Sequence, residues 1–224
     1  MAGNVPDLLI FDCDGVLVDS EPISVAVLLE IIGEAGVSLD EETAYRRFLG
    51  RSMATVAGIM HEEFGLTMNA GHLEAMRSRL YERFRRELKP IPGIAEALAK
   101  IGLRRCVASS SQPERIELSL KVTGLLESLQ PHLYSASMVK HGKPAPDLFL
   151  HAARAMKVAP ENCLVIEDSP AGIEAARRAG MRVFAFVGGT HAGPSGLREV
   201  TEALGPDLVF DDMRELPALL GHMA

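Results

Sequence analysis

The sequence predicts an α/β protein: a parallel sheet flanked by helices and interrupted near its start by an all-α segment. Three observations carry this. Short apolar runs alternate with helical patterns from residue 90 onward, the stretch 20–89 has amphipathic periodicity but no convincing strand run, and Leu8-Leu9-Ile10-Phe11 stands alone ahead of it. Strands separated by helix-length segments of about 10 to 15 residues produce parallel sheets, because each parallel return needs a crossover. The first run is short, branched and aromatic, a buried strand by composition, and it ends directly on Asp12 and Asp14. Helical patterns over 23–34, 53–64 and 72–87 follow, separated by Gly36-Val37-Ser38-Leu39-Asp40 and Gly65-Leu66-Thr67, clusters of the kind that end helices. The chain returns through Lys89-Pro90-Ile91-Pro92-Gly93, whose prolines restrict the backbone and mark a hinge-like junction. Strand runs then recur at Cys106-Val107-Ala108, His132-Leu133-Tyr134, Cys163-Leu164-Val165-Ile166, Val183-Phe184-Ala185-Phe186 and Leu208-Val209-Phe210. Ser111-Gln112-Pro113-Glu114 fits a capping box, and Ser169-Pro170 places a cap before a first-turn proline. Both helix starts follow strands, so helix amino ends are expected beside the strand tips.

Composition narrows the class without naming a reaction. With 224 residues, 47% apolar and 24% charged, the chain can bury one good core with a smaller unit attached. No stretch approaches the roughly 20 apolar residues that span a bilayer, and the first residues lack the basic flank of a secretory signal. A cytoplasmic location and no membrane partner are therefore expected. Cys13, Cys106 and Cys163 are widely spaced among apolar neighbours, which suits reduced core thiols better than a disulfide or zinc framework. A net charge of −7, with no basic stripe carrying interleaved aromatics, argues against a nucleic-acid partner. An anionic substrate would need local cations or a metal.

The residues that suggest chemistry share one place. Ligands of open α/β sheets collect at the carboxyl ends of the strands. Asp12 and Asp14 arrive there from the first run, Ser109 from the second and Glu167-Asp168 from the fourth, with Lys143 in the loop after the third. Carboxylates are costly in apolar surroundings unless paired, metal-bound or hydrogen-bonded. Acids with a hydroxyl and a lysine suit phosphoryl transfer through Mg²⁺, a hard cation that takes oxygen ligands. The cation is needed, because a carboxylate meeting a phosphate dianion at about 4 Å faces repulsion of order 8 kcal/mol at an effective dielectric near 20. Taken singly, Ser109 could cap a turn and Lys143 could be a solvated loop residue.

Asp12-Cys13-Asp14-Gly15-Val16-Leu17-Val18-Asp19-Ser20, Val107-Ala108-Ser109-Ser110-Ser111, Gly142-Lys143-Pro144-Ala145-Pro146-Asp147 and Val165-Ile166-Glu167-Asp168-Ser169-Pro170-Ala171-Gly172 resemble, in order and spacing, the four motifs of the haloacid dehalogenase superfamily. The whole chain is similar to its helical-cap phosphatase and β-phosphoglucomutase-like group. The resemblance implies a Rossmann-like catalytic core over 1–19 and 90–224 and an inserted all-α cap domain over 20–89. It implies that Asp12 is a nucleophile forming an aspartyl-phosphate, and that Asp14 protonates the leaving oxygen and then activates water. Acting as an acid near neutrality, Asp14 would need its pKa raised by about 2 to 3 units. Ser109, Ser110 and Lys143 would hold phosphoryl oxygens, while Ser111 has the helix cap to fill. Asp168 and Glu167 would complete an Mg²⁺ site with the Asp12 carboxylate and the Asp14 backbone carbonyl. Being adjacent in a strand, Glu167 and Asp168 should face opposite ways, and Asp168 is favoured as the direct ligand.

The substrate implied is a small phosphorylated metabolite, a sugar or sugar-acid phosphate with 6-phosphogluconate among the candidates. Asp14 favours phosphate esters, since relatives cleaving carbon–halogen or carbon–phosphorus bonds generally lack that second aspartate. A phosphosugar mutase is the main alternative, but mutases of this kind carry a histidine in the first cap helix and an arginine in the following loop, where this chain has Ser24 and Met53. A non-catalytic phospho-acceptor or metabolite sensor is a further alternative. Arg51, Arg77 and Glu21 are candidate substrate contacts from the insert, although Arg77 belongs to an arginine-rich stretch that could simply be a solvated helix face. His191, in a glycine-rich loop after the fifth core strand run, is a candidate substrate contact and not a catalytic base. A monomer is expected.

Overall fold

The computed structural model describes residues 5–48 and 53–221. Its strands are β1 (Leu8–Phe11), β2 (Arg104–Ser109), β3 (Leu133–Ser135), β4 (Cys163–Glu167), β5 (Arg182–Phe186) and β6 (Leu208–Phe210). They form one sheet in the order β3-β2-β1-β4-β5-β6, parallel throughout. Every predicted strand run is a strand. The reason is burial on both faces: β1 lies between β2 and β4, with Ile10 opposite Cys106 on one side and Val165 on the other, and all four of its residues are buried. A strand in that position reads as an unbroken apolar run.

Alternation then sorts the sheet residues into two cores. Leu9, Phe11, Val107, Leu164, Ile166, Phe184 and Phe186 belong to one cluster, while Leu8, Ile10, Cys106, Ala108, Cys163, Val165, Val183 and Ala185 belong to the other. The second cluster is covered by α7 (Asp147–Met156) and α8 (Pro170–Arg178) through Leu148, Phe149 and Ile173. The first is covered by α5 (Ile94–Lys100), α6 (Pro113–Val122) and α11 (Leu216–Gly221). It also extends into the inserted helices α1 (Glu21–Glu34), α2 (Glu41–Phe48), α3 (Met53–Phe64) and α4 (Ala70–Glu87), through Ile32, Tyr45, Met60 and Phe84. The short α9 (Ala192–Ser195) and α10 (Leu197–Ala203) connect β5 to β6. Cys13, Cys106 and Cys163 are free and buried. Among the described residues no helix is long and apolar enough to cross a membrane.

Helix α2 is not among the predicted helical patterns. Asp40, assigned to a separator, is what starts it: the Asp40 carboxylate accepts hydrogen bonds of 2.8 Å from the Thr43 N–H and from its hydroxyl, which satisfies a first-turn donor. Helix α4 begins two residues ahead of the predicted 72–87, because Asn69 and His72 form a reciprocal cap. The chain leaves the sheet and returns to it side by side. Val18 bridges Pro90 in antiparallel fashion, the Asp19 N–H donates to the Lys89 carbonyl at 3.0 Å, and the Ile91 N–H donates to the Leu17 carbonyl at 3.0 Å.

Candidate active site

Strand β1 ends where the candidate site begins. Cys13 joins the core with Leu9 and Phe11, so alternation turns Asp12 and Asp14 away from that core. The Asp12 N–H still continues the sheet, donating to the Ile166 carbonyl at 3.0 Å. Gly15, at φ +79°, then bends the chain, and no side chain would fit there, since a Cβ would stand 1.9 Å from Asp168 Oδ2.

Lys143 reaches this point from the loop after β3. Its Nζ donates to Asp12 Oδ1 at 2.6 Å and to Glu167 Oε1 at 2.5 Å, and it lies 4.9 Å from the centre of the Phe149 ring. Burial would lower the Lys143 pKa, but Asp12 and Glu167 outweigh it and hold the ammonium above its ordinary range. Glu167 is fully buried, and its second oxygen accepts from the Ser169 N–H at 2.8 Å and from its hydroxyl at 3.0 Å. Ser169 in turn caps α8 by accepting from the Gly172 N–H, as the Ser169-Pro170 pair predicts. Both Glu167 oxygens are thus engaged by the chain's own donors.

Asp12, Glu167 and Asp168 offer oxygens that all lie within 4.8 Å of one another. Burial pushes Asp12 well above the usual carboxylate range; Lys143 opposes this, and Glu167, Asp168 and Asp14 add to it. Burial raises Asp168 as well, against the pull of His191. Three carboxylates thus crowd one lysine and the His191 ring, and Asp12 and Asp168 resist carrying charge without a further cation. Carboxylate oxygens are what a hard divalent cation such as Mg²⁺ takes, and Asp12 Oδ2 and both Asp168 oxygens accept no hydrogen bond from the described residues, His191 Nε2 standing 3.0 Å from Asp168 Oδ2. These residues fit a metal.

Asp14 is in a different setting. Its Oδ1 accepts from the Ser20 hydroxyl at 2.6 Å and from Arg115 Nη2 at 2.8 Å, and its Oδ2 accepts from the Ser111 hydroxyl at 2.6 Å. Burial raises this carboxyl, but Arg115, Ser111 and Ser20 overcome it and leave the pKa below the ordinary value. The expected upward shift is therefore not present here, because all three partners stabilise the anion. The capping box predicted at 111–114 is corrected in the same way: Gln112 occupies the cap position without a side-chain bond, and Ser111 spends its hydroxyl on Asp14. Ser109 is buried at the end of β2 and accepts from the Ser111 N–H at 3.0 Å. Ser110 is exposed beside it.

Glu21 opens α1 near Asp14, and burial together with the Asp14 charge pushes its carboxyl up to about 7. Arg77 pairs with Glu74 at 2.7 Å on the exposed side of α4 and does not join the hydrogen-bonded cluster. Arg51 lies outside the described residues. His191 is corrected: its side chain is fully buried, with Nε2 at 3.0 Å from Asp168 Oδ2, so it stands behind a carboxylate and offers no surface to a substrate. Arg115 is the residue that motif reading misses. Besides Asp14, its Nη2 donates to the Ser24 hydroxyl at 3.1 Å, and its guanidinium lies 5.2 Å from the centre of the Phe84 ring. Its mark in the sequence is a place in the first turn of the helix that follows Ser109-Ser110-Ser111.

The chain is similar to known proteins along most of its length. The chain is 33% identical over 214 residues to the 6-phosphogluconate phosphatase of Escherichia coli (strain K12), covering 95% of this chain and 94% of that protein. A haloacid dehalogenase-like protein of unknown function from Agrobacterium tumefaciens str. C58 superposes with a TM-score of 0.84 at 38% identity, covering 97% of this chain and 98% of that one. A haloacid dehalogenase family hydrolase from Deinococcus radiodurans R1, solved with bound phosphate and sodium, superposes with a TM-score of 0.79 at 32% identity, covering 98% and 97%. The family model for haloacid dehalogenase-like hydrolases matches residues 6–180, and the chain belongs to that family.

Proposed function

We propose that this hydrolase is a Mg²⁺-dependent phosphatase that cleaves a small sugar or sugar-acid phosphate through an aspartyl-phosphate at Asp12. The observation that carries the reading is the surroundings of Asp12. One of its oxygens is fixed by Lys143 at 2.6 Å, the other accepts no hydrogen bond among the described residues, and Glu167 and Asp168 bring carboxylate oxygens within 4.8 Å of its own. In the first step an Asp12 oxygen attacks phosphorus, the bond to the ester oxygen breaks, and Asp14 gives its proton to the departing alcohol. In the second step Asp14, now a carboxylate, takes a proton from water, which attacks the phosphoryl group and restores Asp12. Before the first step Asp14 must leave part of its set of donors and gain a proton, which the approach of a dianionic phosphate favours. Asp12, Asp168 and the Asp14 carbonyl would hold the metal, which when bound neutralises phosphate charge as the nucleophile approaches. Lys143 and Ser109, with Ser110 beside them, would bind phosphoryl oxygens, and Glu21 would meet substrate hydroxyls.

The similarity to the 6-phosphogluconate phosphatase of E. coli and the phosphate in the D. radiodurans structure support the phosphate-ester reading and put 6-phosphogluconate among the substrates to try first. In this reading residues 20–89 form a cap over a core of 1–19 and 90–224, joined by the paired crossing at Leu17–Asp19 and Lys89–Ile91. Ser24 weighs against a mutase, since its hydroxyl is bound to Arg115 where a mutase of this group carries an imidazole. Phosphate release from a panel of sugar and sugar-acid phosphates tests the proposal. Asp12→Asn is expected to lose turnover on every substrate found, and unchanged turnover in that variant removes Asp12 as the nucleophile.

A further inference from the structure

We propose that His191 is a positioning residue for Asp168, holding one carboxylate oxygen so that the other faces the metal; the proposal rests on the metal reading above. The imidazole has no exposed side-chain surface, and its Nε2 lies 3.0 Å from Asp168 Oδ2, an ion-pair approach outside hydrogen-bond geometry that leaves both buried ring nitrogens without a hydrogen-bond partner among the described residues. Space is made for the pair by two glycines from different segments. A Cβ on Gly15 would stand 1.9 Å from Asp168 Oδ2 and 3.0 Å from His191 Cε1, and one on Gly189 would stand 2.5 Å from Cε1 and 2.7 Å from Nδ1. The loop that carries the imidazole is itself tied down. Thr190 donates from its N–H at 3.3 Å and from its hydroxyl at 2.9 Å to Asp19, and Asp19 belongs to the paired crossing. On the other side, the His191 carbonyl accepts from the Ser195 N–H at 3.2 Å.

A carboxylate just past a strand end can rotate about two side-chain bonds, and each rotamer offers a cation a different oxygen. With Oδ2 set 3.0 Å from a fully buried ring, Oδ1 is the oxygen left for the metal. Partners of this sort, one bond removed from the ion, commonly change metal affinity by about 10- to 100-fold when lost. A residue that merely filled space would not show this effect.

The test uses the full chain and Mg²⁺ alone, titrated calorimetrically. A glutamine side-chain nitrogen can occupy the place of Nε2, whereas that of asparagine stops near Nδ1. His191→Gln is therefore expected to bind Mg²⁺ within a few-fold of wild type, and His191→Asn about 10- to 100-fold more weakly. Turnover of His191→Asn at saturating Mg²⁺ should recover most of the wild-type rate, so that the defect lies in metal affinity. Equal Mg²⁺ affinity in the two variants, whether both strong or both weak, overturns the proposal. Asp168→Asn serves as the control: if it binds Mg²⁺ like wild type, the metal reading fails, and if it loses binding while His191→Asn keeps it, only the role of His191 fails.

Discussion

Asp12 and Asp14 are two residues apart and are held by opposite logic. Asp12 shares one lysine with Glu167 and is crowded by acids, so its charge calls for a cation. Asp14 is satisfied by Arg115, Ser20 and Ser111 and is stable as an anion. This division matches their proposed roles, a nucleophile that works beside a metal and a proton carrier that must be released to work. Arg115 is the residue on which the release depends. It contacts Asp14 and not the substrate in the proposed steps, so Arg115→Met should retain substrate affinity and lose about 10- to 100-fold in kcat, part of the 10²- to 10⁴-fold that positioned acid–base groups supply. Arg115→Lys should recover only part of that loss, since an ammonium has no planar group to lay over the Phe84 ring while it reaches Asp14. Steady-state kinetics on both variants decide the matter: a fall in melting temperature with kcat unchanged would make Arg115 a structural link only.

At the level of elements, the site depends on helix starts placed at strand ends. The turn from β4 into α8 is the clearest case: Ser169 caps the helix through the Gly172 N–H while donating its own hydroxyl to Glu167. Gly172 lacks a side chain because Glu167 occupies the space, and a Cβ there would stand 1.8 Å from Glu167 Oε1. Glu167 is fully buried and cannot swing into solvent, so Gly172→Ala must displace it from Lys143. The expected cost is about 1 to 3 kcal/mol of stability, together with a drop in activity that the same substitution at the open Gly58 does not produce. Chemical denaturation and phosphatase assays on the two variants make the comparison. The elements themselves are legible from the chain, since burial on both faces writes a strand as an apolar run and amphipathic periodicity writes a helix. Helix α2 escapes because its signal is a single cap, Asp40, which a linear reading assigns to the preceding separator.

The whole molecule buries its three thiols. Burial pushes Cys163 up to about 11 and raises Cys106 further; burial raises Cys13 too, with Asp14 and Asp12 adding to it. Because the folded state raises these pKa values, it favours the protonated thiols. That contribution is complete below the ordinary thiol range near 8.5, and for Cys163 it is lost as the pH climbs through about 11. A thiol reagent at pH 8 should accordingly modify none of the cysteines in the native protein and all three in denaturant. Fast labelling of one cysteine without unfolding would mean that its element opens locally.

The same scale separates what local pattern determines from what folding decides. Fold class, the strand runs, the helical insert, the ends of strands on which acids and hydroxyl fall, and the four family motifs are all readable along the chain, because each is written in residues a few positions apart. Which side chains meet is not. Lys143 reaches Asp12 across 131 positions, and Arg115 reaches Asp14 across 101; no periodicity carries information over such separations. Ser111 leaves the helix cap for Asp14, and His191 turns inward to Asp168, because a buried carboxylate gains more from a donor than a helix end or a solvated loop does. The aspartates and their order come from the sequence, and their charges, partners and division of labour come from the packing of the strand ends around them.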